Sequence, residues 1–395
     1  MRRLFTIVST LVVVVAMTYF TLDWAYWRNW LAWDMVDPNR AVDVDKYVSH
    51  HVLQMPPPHP IQLASSSKRT LSAQALQELE TFSVETESLV FLVSHRERLQ
   101  FSYYAEGIGP ETLLDSYSMH KGLLALIFGY AIDNGDIQSI DTPASRYLPE
   151  WQHDGRQEIT IRELLNNESG LKRLDYSSLP HNAVLDFFIG RDLRKLTFSF
   201  PLDFAPGTLF EFNHVNSQAL YFVLVRSTGR EYVDILSDYL WRPLGNGSAR
   251  VVFDHEGGAA RTICCFLATA PSWIRIGTLL NGHGKIGNHQ IVSKEWIDEM
   301  LRPAPQNPNY GFNVWIGNPF SGKRLHSAVR GLYREITGPF DVSDVYFMEA
   351  SGNGRLYFIP SQDVVIFRIG RRIVDQKWDD GKTVNTVLRG IIGQE

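Results

Sequence analysis

Three serine–lysine pairs in the chain have the spacing Ser-x-x-Lys, and any of them could carry acyl-transfer chemistry. Residues three apart share one face of a helix, so the lysine can reach the serine hydroxyl. Serine is a weak nucleophile until a neighbouring base takes its proton, and burial lowers the pKa of a lysine towards the range of such a base. The pairs are Ser65/Lys68, Ser118/Lys121 and Ser169/Lys172.

The residues around Ser118 make it the strongest candidate nucleophile of the three serines. It opens a helix whose body, 123–128, is apolar around its whole circumference, which is typical of a helix buried in the centre of a domain. Backbone N–H groups at the start of that helix would favour an oxyanion close to Ser118. Ser65 lies in a proline- and serine-rich stretch without walls, and Ser169 lies in a turn. From spacing alone, a serine cap followed by a solvent-facing lysine remains the simpler interpretation of 118–121.

The elements around this helix predict an α/β protein. Helical patterns follow one another through the middle of the chain, at 73–82, 119–134, 159–166, 215–228, 232–239, 270–280 and 294–301. Strand-like runs lie towards both ends, at 88–94, 99–104, 313–316, 345–349, 355–359 and 364–369. We therefore expect one sheet assembled from both termini, with a helical insertion.

The N-terminus indicates a membrane anchor. Arg2 and Arg3 precede an uncharged stretch, 4–22, whose length is about what a helix needs to cross a bilayer. A cleaved signal peptide is the alternative, but 15–20 offers no Ala-x-Ala site. The aromatic cluster within 24–33 favours a retained anchor, since such residues lie at membrane interfaces. The two arginines place the N-terminus in the cytoplasm, so a bacterial chain would cross the plasma membrane once and expose its domain to the periplasm.

After the anchor, segment 23–70 is predicted to be an aromatic juxtamembrane stretch and a Pro/Ser-rich spacer, because 56–60 is nearly all proline. The folded domain is then expected at 71–395. Its two cysteines, Cys264 and Cys265, are neighbours and predict a small buried pair rather than a disulfide.

Composition excludes several classes of partner. The net charge is −5 and no long basic run follows the start, so nucleic acid is not an expected partner. The histidines show no metal-ligand spacing, and we expect neither a metal nor a cofactor.

The motifs around Ser118 resemble the class C β-lactamase family over about 71–390. They are 115–122, 136–148, 159–170, 206–212, 243–245 and 359–361. Within that family the chain is most similar to the 6-aminohexanoate-oligomer hydrolase and esterase branch. The resemblance implies a β-lactamase/transpeptidase-like α/β fold, with a mainly antiparallel sheet flanked by helices and an all-helical subdomain at roughly 136–250. It also implies Ser118 as nucleophile and Lys121 as its partner.

The chain departs from the family at its second motif, Tyr-x-Asn, where it has Phe212, Asn213 and His214. Phe212 cannot carry a proton, so either Lys121 acts alone or a histidine takes part. His214 is the first candidate and His120 the second, because imidazole titrates near neutral pH. A hydrogen-bonded structural side chain is the simpler interpretation of each histidine. Phe212 and Asn213 would then line the substrate site.

The third family motif, Lys-Thr-Gly, is replaced within 349–354. Ser351 or Gly352 could still supply the second oxyanion donor, as the family's strand does. The lysine that meets a penicillin carboxylate is absent, which argues against an efficient β-lactamase and for an amidase or esterase.

Two functions remain open. The first is a serine hydrolase that forms an acyl-enzyme on a small amide, ester or peptide-like substrate outside the cytoplasm. The second is a membrane-tethered binding or sensing pseudo-enzyme that lost its chemistry with the tyrosine.

Overall fold

The fold is organised around a six-stranded antiparallel sheet. A computed structural model describes residues 49–58, 61–174, 182–371 and 378–392, together with individual residues between 5 and 30. The strand order is β3-β2-β14-β13-β12-β9. These strands are β2 (Ser88–His95), β3 (Arg98–Tyr104), β9 (Trp315–Ile316), β12 (Tyr346–Ala350), β13 (Gly354–Ile359) and β14 (Val364–Gly370). The sheet therefore joins strands from both ends of the chain, as the sequence predicts.

Both faces of this sheet are apolar, and helices cover each of them. Phe91, Val93 and Ile366 lie on one face, against α1 (Ala73–Glu85) and the C-terminal helix α10 (Asp380–Gly390). The opposite face packs on α2 (His120–Asp133) and α8 (Ala270–Asn281). Between Gly122 and Phe128 every residue of α2 is buried. Its central position follows from an apolar circumference that water would otherwise contact.

A helical region lies between β4 (Leu114–Asp115) and β5 (Ala249–Val252). It contains α3 (Ile161–Leu165), α4 (Ala183–Ile189), α5 (Leu193–Phe198), α6 (His214–Thr228) and α7 (Tyr232–Leu236), with several 3₁₀ turns. Asn213 caps α6, and Thr160 begins α3 with a capping box that includes Glu163. Two further helices follow, α8 and α9 (Lys294–Met300).

A second antiparallel sheet corrects the predicted spacer. Its order is β1-β5-β6-β4, with β1 at His50–Leu53 and β6 at Phe266–Ala268. His50 pairs with Val252, so part of the segment 23–70 belongs to the folded unit, which begins before residue 71. The proline stretch also packs on the domain, since Pro58 lies against Gly247. Strand pairing with residues two hundred positions away decides this, and a local pattern does not carry that information.

Two short hairpins complete the described strands. They are β7 (Lys285–Ile286) with β8 (His289–Gln290), and β10 (Lys323–Ser327) with β11 (Leu332–Glu335). In the second one, every residue from Val329 to Glu335 is exposed.

More than half of the positions in the predicted anchor, 1–22, lie outside the described residues. Within the parts of the chain that the structure describes, no helix combines the length and apolar character needed to span a bilayer. The aromatic cluster that follows was expected at a membrane interface. Trp24 is exposed, but Tyr26 and Trp27 are buried against Leu185 and Ile189 of α4.

Candidate active site

Ser118 and Lys121 meet at the start of α2. Ser118 lies in a 3₁₀ turn, Tyr117–Met119, that leads into the helix, and it is half-buried. Lys121 is buried, and its Nζ lies 3.0 Å from Ser118 Oγ and 2.9 Å from the carbonyl oxygen of Ile263. The structure therefore brings together the pair ranked first from the sequence.

Burial alone lowers the pKa of Lys121 to about 7. A lysine in water is protonated at neutral pH, whereas this amine is neutral in a large fraction of molecules. In the neutral form one N–H can keep the bond to Ile263 while the lone pair faces Ser118. The amine is then placed to take the hydroxyl proton.

The other two Ser-x-x-Lys pairs have no such geometry. Ser65 and Lys68 are exposed on a surface 3₁₀ turn. Ser169 is buried, and its hydroxyl bonds the side-chain oxygen of Asn216 at 2.5 Å, which makes it a structural serine.

Asp115 fixes the backbone just before the nucleophile, a role that the sequence analysis missed. Tyr117 has a φ of +46°, a conformation that costs energy in any residue with a Cβ. The Asp115 carboxylate accepts the Tyr117 N–H at 2.8 Å and also accepts the Cys265 N–H. Burial raises the pKa of Asp115 to about 7, and the two N–H donors oppose that rise. An aspartate two residues before a turn is the available sequence signal.

Segment 261–265 holds α2 through backbone carbonyls. Ile263 accepts from Lys121, while Arg261 and Cys264 accept from Nδ1 of His120 at 3.1 and 2.8 Å. Cys264 and Cys265 are bonded to each other as a vicinal disulfide. Both are buried, as expected, but the prediction that they would not bridge was wrong. A positive φ at Cys265 produces the turn that lets the neighbours meet.

His120 is structural in this arrangement. Its Nε2 lies 2.7 Å from the Tyr232 hydroxyl, and its Nδ1 donates to segment 261–265. Burial lowers its pKa to about 4, so the ring is neutral at pH 7. With both nitrogens engaged away from Ser118, His120 is not placed to move the nucleophile's proton.

Phe212 forms the opposite wall. Its ring centroid lies 5.3 Å from Lys121 Nζ, and its ring stacks on Trp315 with centroids 5.9 Å apart. Its backbone N–H donates to the carbonyl oxygen of His326 at 3.0 Å. An aromatic face attracts the protonated ammonium but accepts no proton from it.

Asn213 serves the fold beside this wall. Its amide oxygen accepts the Val215 N–H that begins α6, and its amide nitrogen donates to the carbonyls of Leu171 and Lys172. His214 follows at the first position of α6, buried next to Phe212 and Phe188. Burial, then the charges of Lys121 and Arg173, hold the pKa of His214 well below its usual value. His214 is therefore neutral near pH 7 and close enough to Lys121 to sense its charge.

Ser351 and Gly352 lie in the turn between β12 and β13, and β12 packs against the 3₁₀ turn of Ser118. A side chain at Gly352 would collide with the Gly370 carbonyl, and its φ is +68°. The Gly352 carbonyl accepts from Arg368. The oxyanion role predicted for these two residues stays a prediction.

Residues 74–263 match the sequence model of the family described as Beta-lactamase. They form a β-lactamase family domain. The match contains Ser118, Lys121 and the Phe212–His214 segment, and ends at the residue whose carbonyl holds Lys121.

Two curated relatives extend this result. The chain is 27% identical over 242 residues to 6-aminohexanoate-dimer hydrolase of Paenarthrobacter ureafaciens, covering 58% of this chain and 61% of that protein. A D-aminopeptidase of Brucella canis is 28% identical over 152 residues, covering 37% of this chain and 27% of the relative. The chain thus spans less than two thirds of the length of either.

Solved structures show the same fold over most of the chain. A candidate 6-aminohexanoate-dimer hydrolase from Bacillus anthracis superposes with a TM-score of 0.70 at 16% identity, covering 90% of this chain and 94% of its own. A class C β-lactamase gives 0.61 at 14% identity, with coverages of 82% and 97%. The chain therefore has the expected mixed α/β, β-lactamase/transpeptidase-like fold.

Proposed function

We propose that the chain is a serine hydrolase that works through an acyl-enzyme with Ser118 as nucleophile and Lys121 as base. The observation that carries the proposal is the buried Lys121 amine, 3.0 Å from Ser118 Oγ, with its pKa lowered to about 7. Ser and a desolvated Lys together satisfy the requirement for an activated hydroxyl.

The chemistry follows from this geometry. Neutral Lys121 takes the Ser118 proton as Oγ attacks the substrate carbonyl, and the protonated amine then passes that proton to the leaving nitrogen or oxygen. Backbone N–H groups at Ser118 and at Ser351 or Gly352 would hold the oxyanion. A water molecule then attacks the acyl-enzyme as Lys121 takes its proton, and Lys121 returns that proton to Ser118 Oγ as the acyl–Oγ bond breaks and the acid product leaves.

The substrate class we propose is a small amide, ester or peptide-like molecule. The named relatives support it: one is a hydrolase of the 6-aminohexanoate dimer and the other a D-aminopeptidase. We also propose, from the arginines and uncharged stretch at the N-terminus, that 1–22 anchors the chain in the plasma membrane with the catalytic domain on the extracytoplasmic side. Protease digestion of intact and lysed spheroplasts tests the orientation: digestion only after lysis would refute it.

Intact mass of the full chain after exposure to a fluorophosphonate tests the nucleophile. We expect one adduct, which Ser118→Ala abolishes. Ser65→Ala is the matched control, since Ser65 has the same spacing to a lysine but lies exposed on a surface turn. The adducted serine defines a hydrolase site, and turnover of the linear 6-aminohexanoate dimer, a D-alanine amide and a short-chain nitrophenyl ester then narrows the substrate.

A binding pseudo-enzyme is the second candidate, and Phe212 is the observation that favours it. The family position beside the nucleophile carries a phenyl ring here, which leaves one proton carrier instead of two. A folded chain that forms no adduct with either a fluorophosphonate or a penicillin would decide for this alternative.

A further inference from the structure

The hairpin β10–β11 carries an unusual concentration of exposed apolar side chains. Of the eight large hydrophobic residues that are exposed in the described parts of the chain from residue 49 onward, four belong to or adjoin this hairpin. They form what we call the hairpin patch: Leu209, Val329, Leu332 and Tyr333, which are 38%, 50%, 43% and 46% exposed.

Backbone register places two members of the hairpin patch, Leu209 and Val329, side by side. Glu211 pairs with Ser327 in an antiparallel bridge, and the Ala328 N–H donates to the Phe210 carbonyl. Leu209 therefore lies opposite Val329, at the tip of the hairpin. Leu332 and Tyr333 follow in β11, where successive side chains point to opposite faces, so the exposed apolar residues lie on both faces of the hairpin near its tip. Such a group exceeds the scattered single residues found on any protein surface.

The hairpin also carries exposed basic side chains, although the chain as a whole carries a net charge of −5. Arg324 is buried and paired with Glu349 and Asp380, and Arg334 is paired with Glu349, which leaves Lys323 and Arg330 as the relevant basic side chains. Arg330 and Lys323 are exposed on the hairpin, and Lys323 Nζ lies 4.3 Å from the Tyr333 ring centroid. Next to Val329, a cavity of about 90 Å³ is lined by Lys172 and Arg173 and equally by Asp203 and Glu211, so it adds no net positive charge.

Exposed aliphatic and tyrosine side chains interleaved with lysine and arginine are typical of a surface that lies in the headgroup region of an anionic bilayer. We propose that the hairpin patch is a docking surface for an anionic lipid membrane. Val329, Leu332 and Tyr333 enter the interface, and Arg330 and Lys323 contact lipid phosphates.

The patch lies on the active-site side of the molecule. The Phe212 N–H donates to His326 of β10, and the Phe212 ring is the wall that faces Lys121. Docking through the hairpin would therefore turn the mouth of the site towards the lipid. This membrane contact is separate from the N-terminal anchor and does not depend on catalysis.

The test uses the full chain in nanodiscs, with an environment-sensitive NBD label at Leu332→Cys. The native cysteines are bonded to each other and buried, so a single introduced thiol is labelled selectively. The control is Val84→Cys, an exposed apolar position on α1, away from the hairpin. Far-UV circular dichroism and thermal unfolding check that each variant is folded.

In nanodiscs that contain phosphatidylglycerol we expect a blue-shifted label at 332, quenched by nitroxide lipids, and an unchanged label at 84. The double variant Lys323→Gln/Arg330→Gln, which neutralises both side chains, should lose about 30-fold in the ratio of bound to unbound hairpin, since one basic residue near an anionic surface contributes roughly fivefold. A label at 332 that stays in water overturns the proposal. Equal quenching in purely zwitterionic discs overturns it too, because the charge would then play no part.

Discussion

The two walls beside Ser118 are built differently. On the α2 side, Lys121, His120 and Asp115 each bond to backbone groups of segment 261–265. On the other side, Phe212 presents an aromatic ring, stacked on Trp315 and joined to β10 by backbone hydrogen bonds. The first wall fixes a base with a lowered pKa, whereas the second has no group at Phe212 that carries a proton.

This difference indicates which part of the site performs the chemistry. On the polar wall, the hydrogen bond to the Ile263 carbonyl holds Lys121 within reach of Ser118, and Phe212 takes no part in that bond. Phe212 contributes a ring face 5.3 Å from the amine, while burial of Lys121 as a whole is the cause of its lowered pKa. The two walls should therefore respond to substitution in opposite ways, with large losses on the first and small effects or gains on the second.

The largest effect is expected from the dyad itself. Ser118→Ala should abolish adduct formation, and Lys121→Met should slow it by about a thousandfold, since a positioned base contributes roughly 10²–10⁴. Stopped-flow or time-resolved intact mass gives the rate constant. A Lys121→Met chain that reacts at the normal rate would remove Lys121 from the mechanism.

The free energy of unfolding, measured as a function of pH, distinguishes a lost base in Lys121→Met from a chain that fails to fold. The pKa of Lys121 is about 7 in the folded chain and 10.5 in the reference state, so the unfolded chain binds more protons between these values. Its contribution to the free energy of unfolding should therefore rise with pH from about 7 to 10.5 and disappear in Lys121→Met. Urea unfolding at several pH values measures it.

The second-largest effect on the rate of adduct formation is expected from removal of the Cys264–Cys265 disulfide. Cys264→Ser/Cys265→Ser removes the bond that fixes the turn beside the Ile263 carbonyl, and we expect roughly a tenfold slower adduct formation, as small displacements of a positioned base are costly. Intact mass of the native chain first verifies that the two thiols are absent. A double variant with an unchanged rate would show that hydrogen bonds alone hold segment 261–265.

Phe212→Tyr tests whether a hydroxyl on the aromatic wall assists proton transfer. The ring centroid lies 5.3 Å from Lys121 Nζ, so a hydroxyl introduced there adds a second proton carrier near the amine. We expect a several-fold faster reaction, which is below the roughly 10²–10⁴-fold that an optimally positioned acid–base group contributes. Phe212→Leu, which adds no hydroxyl, serves as the control. If both variants react more slowly, the aromatic wall serves packing, not proton transfer.

The sequence predicts the fold's long apolar elements well. Helices α1, α2, α6 and α8 and strands β2, β13 and β14 lie within two residues of their predicted bounds or extend them by a few residues. Each is specified locally, by periodicity and by turn residues at its ends. β1, by contrast, was assigned to a spacer because its pairing with β5 is decided by distant residues.

The candidate site divides in the same way. Ser118 and Lys121 are preferred among the three pairs because they begin an apolar helix, and the resemblance of the surrounding motifs to a known family then favours them over a structural cap. The contact of Ile263 with Lys121 was not predicted because it is made by a carbonyl oxygen, which every residue has. The role of Asp115 was not predicted because it depends on the positive φ of Tyr117, and such strain is visible only in the folded backbone.

The smallest effect is expected from substitution of His214, the histidine first considered for proton transfer on the basis of the sequence. Its pKa is held well below the usual value, so it stays neutral throughout the range in which Lys121 titrates. The rate of adduct formation should rise about tenfold per pH unit below pH 7 and level off above it, following deprotonation of Lys121. His214→Gln should leave the shape of this profile intact and change the rate by no more than a few-fold. Removing a buried neutral ring near the amine alters its surroundings slightly, whereas removing a base would remove the titration. A profile that flattens or shifts to a new midpoint in His214→Gln would assign the proton to the imidazole and move the chemistry to the second wall.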